Sequence, residues 1–468
     1  DIKLEAPLSE IISRESRRQI SDQLSIANII TSLRALSELD WREIFEETSR
    51  VHHILSADPA GVYTHMDFAS RDRYRHAVEE IARWSRIRHA PRSESSTQNE
   101  PREMDVARMA VSLAAQHHTE IGGPAPRAHI GYYLVDEGRA DLESPFAARS
   151  TFGVRWRRWA TSHASAVYVG GIAIITILLS LALHQLMRSA GVELWASLAL
   201  GALMLLPLSE YSVQIWDYIL SRVLPPRGLQ KLEFNEGVPN DCKTLVVVPM
   251  MLSSDGMAED LERLEVRHLA NNDANLQFAL VADFTDANQP ELESDAALVE
   301  GYVRGVEALN AKHGDNKFLL FLRPRKWSAC ENKWIGWERK RGKLEELNEF
   351  LCAHPVGSVH GEMLRVGDAS TLAGVRYIIT LDADTQLPHG TARRMIETLA
   401  HPLNMAVIGD AKNGSDPVVT RGYGIIQPLV STALPSAVST RFTRLFTDAR
   451  GTDPYTHLIS NVYQDLSG

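Results

Sequence analysis

The chain has 468 residues, 44% of them hydrophobic and 23% charged, with a formal net charge of -10. That composition supplies buried cores for two to four domains and too little positive charge for a general nucleic-acid binder. The three cysteines, Cys242, Cys330 and Cys352, lack CxxC spacing, which argues against a disulfide framework or a cysteine zinc site and fits reduced thiols.

In chain order, residues 1–92 read as helical from the apolar periodicity of "IANIITSLRALSEL" and "RYRHAVEEIARW". A polar loop, "SESSTQNEP" at 93–101, precedes another helix over about 102–118. Residues 1–150 are therefore expected to form a helical domain. His52–His53 and His117–His118 are adjacent pairs. Neighbours on a helix point in different directions, so surface or packing roles are expected of them and not a shared metal.

No Asp, Glu, Lys or Arg occurs between Arg158 and Arg188. The segment 160–224 is expected to hold a transmembrane hairpin, with helices at about 164–187 and 193–220. "RWRRW" (155–159) precedes it and Arg222, Arg227 and Lys231 follow, while the short connection offers only Arg188. Basic flanks stay inside, so both flanking parts are expected to face the cytoplasm. The polar start "DIKLEAPLSE" does not resemble a secretory signal. The chain begins without Met and is expected to be a piece of a longer protein.

Residues 232–468 change pattern. "TLVVVPMM" (244–251), "LQFALVAD" (276–283), "KFLLFLR" (317–323) and "VRYIITLDAD" (375–384) read as buried strands, separated by amphipathic helices around 257–270, 293–312 and 336–353. Alternating strands and helices imply a mostly parallel sheet covered on both faces, with ligands bound beyond the carboxyl ends of its strands. Asp283 and the pair Asp382 and Asp384 fall at that edge. The pair could share a hard divalent cation, magnesium or manganese, with phosphate oxygens, or could be only the polar end of a strand. Asp283 could bond a nucleotide base. Lys343, in "RKRGKLEELN" (339–348), could meet phosphate or the base, or could snorkel to water beside the stripe of Leu344, Leu347 and Leu351. On that wheel Lys340 lies on the solvent side.

The order D, then K-xxx-LN, then DxD resembles the inverting nucleotide-sugar glycosyltransferases of the GT-A fold. "DPAGVYTHMDFASRDRYRHAVEEIA" (58–82), "HIGYYLVDEGR" (129–139), "PRKWSACENKWIGWERKRGKLEELN" (324–348), "YIITLDADTQLP" (377–388) and "GTDPYTHLISNVYQDL" (451–466) are similar to blocks of the cyclic β-1,2-glucan synthases of Gram-negative bacteria. The resemblance implies UDP-glucose as donor, a divalent cation, a growing β-1,2-glucan chain as acceptor, and a place in the bacterial inner membrane with the soluble parts in the cytoplasm. It also implies Asp382 and Asp384 as metal ligands, and Asp283, Lys343 and Asp382 as donor contacts. Family members are far larger and carry a phosphorylase-like region. The late acids Asp448 and Asp453 lie in no recognisable base motif, so the acceptor base is expected beyond Gly468. A cellulose- or hyaluronan-type synthase would share the acids but lack "DPAGVY". An alternative of another class is a non-catalytic membrane protein that binds nucleotide sugars. P-loop and dinucleotide folds are excluded, because "PMMLSSDG" follows the first strand in place of GxGxxG or GxxxxGK.

Overall fold

In a computed structural model of the chain the described residues are 8–85, 102–121, 126–146, 151–224, 228–409, 417–428 and 440. The amino-terminal part is helical but interrupted: Leu8–Glu38, Trp41–Thr48, Arg50–Leu55, Phe68–Trp84 and Arg102–Ile121, then the short Ile130–Val135 and Arg139–Glu143. The breaks have local causes. Asp40, Ser49 and Asp67 each accept a backbone N–H from the first turn of the helix that follows, satisfying donors that no helix can pair internally. Tyr63, Tyr74, Val78, Ile81, Val106, Ile130 and Phe146 fill the core, whereas the first helix leaves Ile12, Leu24, Ile29 and Leu33 exposed.

Polar groups inside this core are paired. His129 donates from Nδ1 to Asp58 at 2.8 Å, and its Nε2 accepts from the Tyr74 hydroxyl at 2.9 Å. Asp58 also accepts the backbone N–H groups of Val62, Tyr63 and Ile130. Burial pushes its carboxyl up, but His129 and the backbone donors outweigh burial and hold it below the usual range. Two of the quoted sequence blocks thus meet in a structural network. The rings of His52 and His53 go to different partners, the Tyr63 hydroxyl and the Glu47 carbonyl.

Helices Ala164–Ser189 and Leu194–Val223 are long and apolar enough to cross a membrane and pack against each other. Their side chains point outward: in their apolar windows only 6% and 11% of residues are buried, unlike the core helix of a soluble protein. Gly171 lets Trp216 of the second helix approach, since a Cβ there would lie 2.0 Å from the indole ring. The preceding helix, Phe152–Ser162, packs Trp156 and Ala160 against Trp216, Leu220 and Leu224 at the foot of the pair.

Among the described residues the α/β part has nine strands: β1 (Thr244–Met251), β2 (Leu276–Asp283), β3 (Phe318–Arg323), β4 (Lys326–Ser328), β5 (Lys333–Ile335), β6 (Leu364–Val366), β7 (Tyr377–Thr380), β8 (Val407–Ile408) and β9 (Val419–Arg421). The main sheet has the order β6-β3-β2-β1-β7 and is parallel except for β6, while β4–β5 and β8–β9 form antiparallel pairs. Alternate residues serve opposite faces, as the pleat demands. Val246, Val248, Phe278, Leu280 and Leu320 meet helices Met257–Ala270, Glu293–His313 and Thr391–Leu399, whereas Leu245, Val247, Ala279, Val281 and Phe321 meet helix Arg339–Cys352. Strand β7 is shorter than the expected 375–384, because the chain turns after Leu381. The hairpin β4–β5 and the edge strand β6 are elements that the apolar runs did not announce. The helical part and the α/β part also share a core: Leu403 and Leu232 pack with Met66 and Tyr63, and Met66 bridges to Leu232.

Gly171→Val should cost about 1–3 kcal/mol in thermal unfolding of the detergent-solubilised chain, the range for overpacking a filled contact. Gly170→Val, which meets open space, should change the midpoint little.

Candidate functional site

The register of the parallel strands sets Met251, Asp283 and Arg323 side by side at the carboxyl edge of the sheet. Asp283 is 3% exposed and would be costly there as a lone charge. It is not alone. Arg323 donates Nε to one carboxylate oxygen at 2.8 Å and Nη2 to the other at 2.9 Å, and Lys343 Nζ lies 2.9 Å from the second oxygen. Lys343 also donates to the Met250 carbonyl at 2.6 Å, which ties helix Arg339–Cys352 to β1. Burial pulls the lysine below its usual pKa, and the Asp283 charge opposes that pull. Glu346 balances the second cation: Arg323 lies 3.4 Å from it and Lys326 2.8 Å.

The loop over Asp283 is shaped for this closeness. A Cβ on Gly336 would lie 2.5 Å from the Asp283 carboxylate, so only glycine fits. Glu338 and Arg339 adopt left-handed backbone angles (φ 51 and 49) as the chain turns into the helix. Arg323 secures that turn through the carbonyls of Trp337 and Arg339.

On the other flank β7 stops at Thr380, which pairs with Val247, four residues before the end of β1. Leu381 makes one more sheet bond, to the Val247 carbonyl, and the chain then turns, with the Thr385 N–H on the Asp382 carbonyl at 3.0 Å. Asp382 and Asp384 are both exposed on this turn. Lys340, expected on the solvent side, is half exposed but places its ammonium against the Asp382 carboxylate. Beneath the turn Arg267, 4% exposed, donates to the carbonyls of Asp382, Ala383 and Thr385.

The structure thus joins Asp283 with Lys343 in one buried cluster and places Asp382 and Asp384 on one exposed turn, linked to the same helix through Lys340. Arg323 and Arg267 were not singled out in the sequence, and Lys340 was placed on the solvent side without its Asp382 partner. Arg323 had a signal, as a cation ending an apolar run. Arg267 had none. Asp448 and Asp453 lie outside the described residues.

Two carboxylates on a solvent-facing turn suit magnesium or manganese, which take one or two protein carboxylates and complete their shell with phosphate oxygens and water. Among the described residues no group of three His, Cys, Asp or Glu side chains could hold a metal, so the turn fits a cation shared with a phosphate ligand and not an all-protein cage.

No protein-family model matches the chain. The chain is 31% identical over 468 residues to "Cyclic beta-(1,2)-glucan synthase NdvB" of Rhizobium meliloti (strain 1021). The match covers 98% of this chain and 16% of that much longer protein, so the likeness read from the quoted blocks runs along nearly the whole chain.

Lys343→Met should cost about 3–5 kcal/mol in denaturant unfolding, because it leaves a buried carboxylate with one cation fewer and the Met250 carbonyl without its ammonium donor. Lys340→Met, at the exposed turn, should leave the unfolding midpoint unchanged. Equal stability losses in both would mean that the two lysines do not differ in burial as described.

Proposed function

We propose that this chain is the membrane-linked glucosyltransferase part of a cyclic β-1,2-glucan synthase, with its α/β part of the GT-A type and UDP-glucose as donor. The observation that carries the reading is the exposed Asp382–Asp384 turn at the carboxyl edge of a mostly parallel sheet, where ligands of such sheets bind. The identity to a glucan synthase supports the same reading.

Within it, Asp382 and Asp384 hold a magnesium or manganese ion, which supplies charge stabilisation for the departing diphosphate. Lys340 is placed to leave Asp382 for a phosphate oxygen, since its long stem is half exposed and free to swing. Asp283 uses three of its roughly four lone-pair sites on Arg323 and Lys343, leaving one for the nucleotide base. Lys343, locked by Asp283 and Met250, acts as a fixed positive charge beneath the donor. Reaction with inversion also needs a carboxylate to receive the acceptor's proton, a role separate from those of Asp283, Asp382 and Asp384. Both soluble parts lie on the cytoplasmic side of a bacterial inner membrane, and the growing glucan is the acceptor.

Calorimetric titration of the purified chain with UDP-glucose tests the donor site. Manganese should tighten binding to the native chain by about tenfold or more, a shift of about 1.4 kcal/mol. Asp382→Asn and Asp384→Asn should each remove that enhancement while leaving the fold intact. Metal-enhanced binding that persists in Asp384→Asn rules the assignment out.

Topology is open to a separate test. Reporter fusions near positions 150 and 240 should both report the cytoplasm. Signals from opposite sides would leave a single span.

A further inference from the structure

We infer that Arg267 is a positioning residue for the acid turn: by holding three of its backbone carbonyls from below, it presents Asp382 and Asp384 together to a shared cation. This rests on the metal reading given above.

The geometry is specific. Arg267 lies near the end of helix Met257–Ala270, on the face turned towards the chain leaving β7. Its Nε donates to the Thr385 carbonyl at 3.1 Å, and its Nη2 reaches the carbonyls of Ala383 at 2.6 Å, Thr385 at 2.8 Å and Asp382 at 3.3 Å. These carbonyls belong to the two acids' own turn. A planar fork can reach three acceptors in one plane, and a lysine ammonium cannot reproduce that spread.

The buried charge carries a cost. Among the described residues no carboxylate lies within ion-pair distance of Arg267, although it is almost fully buried. Burial is the largest influence on its pKa and lowers it, and the nearby Arg263 adds repulsion, while Asp260 and Asp384 draw it back. Its charge attracts Asp384 and also repels an arriving cation, so the positioning is carried by its contacts with the carbonyls of Asp382, Ala383 and Thr385.

The residue that caps the same helix offers an internal control. Asn271 holds the same loop further along, donating to the Leu387 carbonyl at 3.1 Å and accepting from the Ala392 N–H at 3.0 Å. It supports the loop but not the acid turn.

The test is direct manganese binding in the presence of UDP, read from the spin-resonance signal of the free ion, on the detergent-purified native chain, Arg267→Lys, Arg267→Gln, Asn271→Ala and Asp384→Asn. Binding is scored per folded molecule, with folding followed by circular dichroism. Arg267→Gln should weaken manganese binding about tenfold, as expected for one lost charged hydrogen bond, and Arg267→Lys should fall between it and native. Asn271→Ala should lower the unfolding midpoint and leave manganese affinity unchanged. Native affinity in both Arg267 variants, with Asp384→Asn abolishing binding, overturns the positioning role alone. Equal weakening in Asn271→Ala overturns it too, by assigning the effect to general loop support. Unchanged binding in Asp384→Asn would instead remove the metal site on which the inference stands.

Discussion

The carboxyl edge of the sheet depends on one constraint: a carboxylate buried at the end of a central strand must find cations. Asp283 meets that constraint with Arg323 from the next strand and Lys343 from the following helix. Each partner then fixes something else. Arg323 fixes the turn before helix Arg339–Cys352, and Lys343 fixes the end of β1. Because that helix also presents Lys340, the buried cluster sets where a mobile cation stands above the acid turn. Breaking a buried pair of this kind is expensive, since it leaves charge without compensation. The edge is therefore rigid underneath and adjustable on top.

A second division of labour runs across the sheet. Helix Arg339–Cys352 positions charges on one side of β1, and helix Met257–Ala270 positions backbone on the other, through Arg267 and Asn271. The two helices approach the strand ends from opposite faces, as the alternating burial of β1 and β2 requires. Groups on different faces can thus meet above the edge without crossing the hydrophobic core.

Much of this was legible in the sequence, and the reasons are physical. Four apolar runs announced β1, β2, β3 and β7. The first three are buried on both faces and carry little else, whereas β7, expected to be buried, lies at the sheet edge with Ile378 and Thr380 exposed. The two apolar helices were legible because no charged residue interrupts the first of them. Asp382 and Asp384 were legible as acids directly after a buried run. Less accessible were features made by pairing across distance. Nothing local marks β4–β5 or β6, which are three residues long and take their structure from neighbours. The apolar stripe put Leu344, Leu347 and Leu351 against the sheet, yet Lys343 and Glu346 are buried with Leu347, since opposite charges waited there to receive them. Arg267 illustrates the limit. Its partners are carbonyl oxygens more than a hundred residues away, and carbonyls have no sequence signature.

The shared core of the helical and α/β parts bears on the order of assembly. Tyr63 and Met66 belong to a cluster that Leu232 and Leu403 complete, and Asp67 hands its backbone N–H to the Lys231 carbonyl. Those partners leave the ribosome only after the two apolar helices. The amino-terminal helices are therefore made first and must wait, partly open, until the hairpin has been placed and the later segment returns to them. Such long-range closure is slow compared with local helix formation. During that interval Tyr63 and Met66 lack their final cover, and a chaperone would have an apolar surface to hold.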